Sequence, residues 1–146
     1  MKKSIQILFI LIITIGSTAF TNSSTKNDWK LYKEIQGIQI YSKMSSCMLE
    51  HTTNSNQYLI FKYINTTKKN LRLTGRIDPY FNNLCRSCNL DSPNEYEFSI
   101  SLKPGESQEG NCSDELKAFK LFYSSSDNRV APLSKFEYSN LTVNEF

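Results

Sequence analysis

Residues 95–102, Glu-Tyr-Glu-Phe-Ser-Ile-Ser-Leu, alternate polar and apolar side chains without a fault. A period of two buries a single face only in a β-strand. The same period recurs in Ile38 and Ile40 around Gln39 and Tyr41, in residues 58–64, in Leu71, Leu73 and Ile77 across Gly75, and in residues 119–123 and 136–143. Breakers separate these runs at short intervals: residues 54–56, 67–70, Asp78-Pro79, residues 92–94, 103–105 and 124–128. Such spacing predicts an all-β chain folded as an antiparallel β-sandwich with about seven strands. In Pro104-Gly105, proline fixes φ at the second position of a type II turn and glycine accepts positive φ at the third, which ends the strand at Leu102. Residues 114–122 also admit a short helix capped by Ser113, but an aromatic-rich segment between turns favours strand.

The N-terminus predicts export. Met1-Lys2-Lys3 is a short positive region, and residues 5–15 are apolar apart from Gln6 and Thr14. That run is far shorter than the ~20 residues a membrane-spanning helix needs, and it matches the core of a signal peptide. Small side chains at Ser17 and Ala19 place cleavage after Ala19. The domain plan is a signal peptide at 1–19, a flexible polar leader at 20–28 and a β-sandwich domain at 29–146. The first cysteine is Cys47, so no lipid-bearing cysteine follows the cut. No later apolar run reaches membrane length, and the mature chain is expected to be secreted or periplasmic with no membrane span.

Charge and composition exclude several functions. The chain has 17 Lys plus Arg against 14 Asp plus Glu, and losing Lys2 and Lys3 leaves 15 against 14. That balance argues against nucleic acid as a partner. His51 is the lone histidine, so a multi-histidine metal site is impossible, and no nucleophile elbow, zinc-protease helix or phosphate loop accompanies it. No catalytic residue and no cofactor is expected. Glu106, Glu109, Asp114 and Glu115 gather around Cys112 without the spacing of a calcium loop. Lys68, Lys69, Arg72 and Arg76 read as a solvated turn and strand face. Asparagine followed two places later by Ser or Thr occurs at Asn22, Asn65, Asn111 and Asn140, the acceptor pattern for glycans in a eukaryotic host.

Cys47, Cys85, Cys88 and Cys112 all lie in the exported part, where an even number of cysteines pairs into disulfides. Cys85-Arg86-Ser87-Cys88 has the spacing of a thiol oxidoreductase motif, but turn-forming residues follow it where such motifs open a helix. A zinc knuckle needs a second close pair, which Cys47 and Cys112 do not supply. If residues 80–84 form a short crossing strand, strand parity puts Cys47 and Cys112 at one end of the sandwich and Cys85 and Cys88 at the other. That favours those two pairs among three connectivities. Tyr80 and Phe81 stand in a polar stretch before the motif, where they plug the core end or form a binding loop.

The order of features extends over residues 29–143: Gly37-Ile38-Gln39-Ile40-Tyr41-Ser42-Lys43, Phe61-Lys62-Tyr63-Ile64-Asn65-Thr66-Thr67, the Cys85 and Cys88 pair, Leu102-Lys103-Pro104-Gly105-Glu106-Ser107 with Gly110-Asn111-Cys112, and Phe136-Glu137-Tyr138-Ser139-Asn140-Leu141. It resembles small exported proteins of Bacteroidetes-type bacteria, and the Phe61 to Thr67 strand end resembles immunoglobulin-like sandwich modules. The resemblance implies architecture and carries no catalytic residues. The chain is therefore expected to be a noncatalytic structural or binding protein of the cell envelope or extracellular space, with a protein or glycan partner. The alternative is an envelope thiol-disulfide factor acting through Cys85 and Cys88.

Overall fold

The computed structural model of the chain describes residues 28–48, 55–126 and 130–146. The expected signal peptide, the expected leader apart from Asp28, and Glu50 with His51 lie outside the described residues. Two antiparallel sheets face each other. The first contains β1 (Lys30–Ile35), β2 (Ile38–Met48), β3 (Ser55–Asn65), β7 (Ser107–Glu109) and β8 (Lys120–Ser125). The second contains β4 (Leu71–Phe81), β5 (Leu84–Cys85), β6 (Glu97–Leu102) and β9 (Leu133–Glu145).

β7 and β8 lie on one edge of β3, opposite residues 62–64 and 56–60, so they form one strand position interrupted by an excursion of residues 110–119. β5 and β6 likewise share the edge of β4 that faces away from β9. The strands thus occupy four positions in the first sheet and three in the second, as the sequence leads one to expect of a sandwich. Their order is not that of an immunoglobulin domain. Lettered A to G along the chain, the positions run A–B–C–F and E–D–G, whereas an immunoglobulin constant domain runs A–B–E–D and C–F–G. The cause is the unbroken pairing of β2 with β3 from Ile38 and Asn65 to Met48 and Ser55, which keeps both strands in one sheet.

Alternation decides what is buried. Ile38 and Ile40 of β2, Phe61 and Tyr63 of β3 and Leu121 of β8 share a core with Leu71, Leu73 and Ile77 of β4, Ile100 and Leu102 of β6 and Leu133 of β9. Each such aliphatic side chain contributes about 2 kcal/mol over its exposed state. Phe61, Phe136 and Tyr138 meet edge to face, with centroids 5.3 and 6.0 Å apart for the Phe61 contacts, a favoured geometry for aromatic rings. Tyr63 is wholly buried, and its hydroxyl donates to the carbonyl of Ala118 at 2.6 Å and lies 3.0 Å from that of Tyr138. Burial pushes the Tyr63 phenol well up, only partly opposed by the Tyr138 hydrogen bond, so it stays neutral. At Gly75 any Cβ would lie 2.6 Å from Leu141 Cδ2, in a register shift where Asn140 adopts φ 52°. Glycine there lets β9 bulge over β4.

The alternation in the sequence gives no sign of β1. Residues 30–34 are exposed along an edge, Ile35 packs against the core, and Tyr32 ties the strand to the second sheet, stacking on Phe136 at 4.7 Å. Gln36 and Gly37 turn the chain with φ 45° and 82°, as a two-residue type I′ turn requires. Residues 114–119 hold no strand and no regular helix: one turn, with the amides of Phe119 and Lys120 donating to Leu116 O at 2.9 and 3.1 Å, leads into β8. The turn at 103–106 is closed by Glu106 N–H to Lys103 O at 3.0 Å, with Gly105 at φ 70°.

Asn65 joins two of the three crossings between the sheets, β3 to β4 and β6 to β7. It is fully buried, and its Nδ2 donates to Lys69 O, Leu102 O and Lys103 O at 2.7, 3.2 and 3.0 Å. Its Oδ1 accepts from the amide and hydroxyl of Thr67 at 2.9 and 2.8 Å. The glycan-acceptor reading of this asparagine is overturned, since its amide nitrogen faces backbone carbonyls and no solvent. Asn111 and Asn140 are exposed, and Asn22 lies outside the described residues.

Candidate functional site

Tyr80 and Phe81 are not in a loop. Both belong to β4, paired with Cys85 and Leu84 of β5 across a two-residue turn in which Asn82 and Asn83 have φ 51° and 62°. Asparagine tolerates that left-handed conformation, which is why this pair and not Asp78-Pro79 makes the turn. Pro79 sits in the gap between β6 and β5, its carbonyl accepting from Arg86 N–H at 2.9 Å, so its missing amide hydrogen breaks no ladder bond. The two rings are half-buried. Lys135 Nζ lies 4.3 Å above the Tyr80 ring, and Phe81 meets Phe122 at 6.1 Å. Phe81 packs against one end of the core, whereas Tyr80 lies on the outer face of the second sheet, its hydroxyl 4.0 Å from Cys88 Sγ and 3.5 Å from Glu137 Oε2. No crossing strand separates the cysteine pairs either: β4 runs on to Phe81, and both disulfides lie toward the end where β2 and β4 finish, on opposite outer faces of the sandwich.

The disulfides are Cys47–Cys112 and Cys85–Cys88, with Cα atoms 5.5 and 5.7 Å apart, and such pairs fit an oxidising compartment. Cys47 and Ile60 are buried outside the core cluster, on the outer face of the first sheet. There Cys112 anchors the 110–119 excursion to β2, and Lys120 Nζ donates to Cys112 O at 2.7 Å.

The Cys85–Cys88 loop folds over the outer face of the second sheet and covers Asp78, which is 4% exposed. Arg76 Nε donates to Asp78 Oδ1 at 2.7 Å and Nη2 to Oδ2 at 3.3 Å, while the buried Ser87 hydroxyl makes a short hydrogen bond to Oδ1. Burial pushes the Asp78 acid up, but the hydroxyls of Ser139 and Ser87 and the Arg76 guanidinium outweigh it and hold the carboxyl below its ordinary value. With its folded pKa below the unfolded value near ~4, Asp78 stabilises the fold fully above that value and loses this contribution as pH falls through the depressed folded one. Asp78→Asn is expected to lower stability at pH 7 by about 2 kcal/mol and to flatten the loss below about pH 4. Urea titrations across pH check this, and equal acid dependence in both proteins would refute it. Asp78, Cys85 and Cys88 offer ligand atoms all within 4.8 Å of one another. Both sulfurs are bonded to each other and the carboxylate is held by Arg76 and Ser87, so the trio does not fit a metal ion in this state.

The acidic residues near Cys112 do not converge. Glu106 accepts from Lys103 N–H, Glu109 pairs with Lys43 and Asp114 accepts from Asn111 N–H, at 2.6, 3.1 and 2.6 Å. The basic run is likewise matched locally, Lys69 to Glu145 at 2.8 Å and Arg76 to Asp78.

Sequence reasoning misses a cluster on the outer face of the first sheet. Tyr41, Lys62 and Glu109 are direct neighbours across β2, β3 and β7. Trp29, just before β1, lies over this row with Lys43 Nζ 4.3 Å and Lys62 Nζ 4.4 Å from its ring. Glu109 holds both ammonium groups, at 3.1 and 3.8 Å. The signal is present as odd and even positions of partner strands, but only the register brings Lys43, Lys62 and Glu109 to one face.

The fold and these surfaces define a disulfide-stapled, all-β sandwich protein. Compared with known proteins, the chain matches no family model, no curated protein and no solved structure. Among the described residues no helix is long and apolar enough to cross a membrane.

Proposed function

We propose that the chain is an exported, noncatalytic binding protein of the cell envelope or extracellular space, of the kind made by Bacteroidetes-type bacteria, and that its partner meets the outer face of the first sheet around Trp29. The observation that carries this reading is the Trp29, Tyr41, Lys43, Lys62 and Glu109 cluster. It concentrates an indole, a phenol and paired charges on a sheet face outside the core, the mixture of aromatic and cationic groups that recognition surfaces use. The two disulfides support the exported setting by letting the scaffold persist where thiols are oxidised. The partner is a protein or a glycan, and nucleic acid is disfavoured by the near-neutral mature charge.

Trp29 is the one tryptophan in the chain, so its emission reports on this face directly. Titration with cell-surface glycan fragments and with purified envelope proteins is expected to give one saturable change in emission. Lys62→Ala is expected to weaken that binding about tenfold while leaving the melting temperature near that of the parent. A partner that binds without altering Trp29 emission, or binds Lys62→Ala equally well, would place the contact elsewhere.

A further inference from the structure

We propose that the Cys85–Cys88 disulfide is a thiol-exchange site at which an external thiolate attacks Sγ of Cys88 and Cys85 is the leaving group. This goes beyond the binding reading and does not depend on it. Three features of the loop carry it. The first is access: Cys88 is exposed and Cys85 is half-buried, so an incoming thiol reaches the Cys88 sulfur first. The second is the leaving group. The Cys88 amide donates to Cys85 Sγ at 3.1 Å, while the Ser87 hydroxyl gives its proton to Asp78 and the Tyr80 hydroxyl stands farther from Cys88 Sγ, at 4.0 Å. A donor aimed at one sulfur stabilises it as a thiolate, and a better-stabilised thiolate leaves faster. The negative charge of Asp78 nearby is matched by Arg76 at 2.7 Å.

The third feature is that the loop has a frame independent of the sulfur bond. Arg86 N–H donates to Pro79 O at 2.9 Å and Leu90 N–H to Ser87 O at 3.2 Å, while the Ser87 hydroxyl is bound by Asp78. A bridge across a separation of 3 residues constrains little of the unfolded chain, compared with 65 for Cys47–Cys112, so its contribution as a staple is small. Opening it leaves the two sulfurs side by side and ready to close again.

The chemistry is balanced by thiols alone. An external thiolate RS⁻ attacks Cys88, the Cys85–Cys88 bond breaks, and an RS–Cys88 disulfide forms as Cys85 departs as a thiolate. A second RS⁻ attacks the RS sulfur of that mixed disulfide, releasing Cys88 as a thiolate and RSSR. The protein gains two electrons, the two external thiols lose them, and solvent protonates the cysteine thiolates. The reverse sequence reoxidises the pair with a small disulfide.

The test uses the full mature chain with both disulfides closed, limiting reduced glutathione as the thiol, acid quenching at short times and peptide mapping of the adducts. The glutathione adduct is expected on Cys88 first, about tenfold faster than on any other cysteine. Trp29 emission and the far-ultraviolet circular dichroism are expected to remain unchanged while the pair opens. An adduct that forms first on Cys85 or Cys112, or one that forms only as the fold is lost, would overturn the proposal.

Discussion

Asn65→Ala is expected to destabilise the fold by about 3 kcal/mol or more, a large loss for a single polar side chain. The side chain bonds three carbonyls, one on the connection from β3 to β4 and two where β6 turns toward β7, and its oxygen holds Thr67. Alanine leaves these buried groups without partners and opens a void, and each unsatisfied group costs about 1–3 kcal/mol. The backbone of Asn65 adds to the junction, its amide donating to Glu106 O at 2.9 Å, and that bond survives the substitution. Asn65→Asp is expected to be at least as damaging, because a carboxylate has no hydrogen to offer the three carbonyls. Urea unfolding under oxidising conditions measures the loss as a shift in midpoint. A change below about 1 kcal/mol for alanine would mean that the crossings are held by other contacts.

Removing the Cys47–Cys112 bridge by the double alanine substitution is expected to remove about 4 kcal/mol, since it closes a long loop of the unfolded chain. The separation is 65 residues, against 3 for Cys85–Cys88, and the same chain-entropy argument gives the short bridge about 2 kcal/mol at most. The folded state adds a local term in the same direction. Without Cys112, the 110–119 excursion keeps the Lys120 bond to the backbone carbonyl at position 112 and the pairing of Gly110 and Phe119 with Phe61 at 2.9 and 3.0 Å, but loses its covalent tie to β2. Thermal unfolding of the two double variants side by side decides the matter. Equal losses, or a larger loss from the Cys85 and Cys88 variant, would show that neither loop length nor the excursion governs stability.

The central strands are legible because burial of one face leaves a period of two: residues 38–40, 58–64, 71–77, 96–102 and 136–143 all fall inside β2, β3, β4, β6 and β9, apart from Tyr96 just before β6. Edge segments leave no such trace. β1 exposes nearly all its side chains and β7 is three polar residues, so neither needs an apolar alternation to form. The sequence misplaces Tyr80 and Phe81 because Asp78-Pro79 looks like a breaker. Asp78 is in fact a buried ion-pair partner under the cysteine loop, and Pro79 fills a gap between two short strands. The immunoglobulin order fails because alternation specifies which side chains are buried and says nothing of which strand lies beside which. Asn65 carries an ambiguous signal, since Asn-Thr-Thr at a strand end reads equally as a glycan acceptor or as a turn-capping asparagine, and burial alone separates the two. The Trp29 surface is invisible in the sequence for a related reason: its members are far apart along the chain and meet only through the pairing of β2, β3 and β7.

The most direct test of an exported, disulfide-stapled sandwich is nonreducing peptide mapping of the protein recovered from its native envelope or culture fluid, reading the N-terminus and the cysteine pairs together. A start near Phe20, Cys47 joined to Cys112, and Cys85 and Cys88 joined to no other cysteine of the chain are the expected result. A retained Met1, a free Cys47 or Cys112, or a bond between either of them and Cys85 or Cys88 would contradict it.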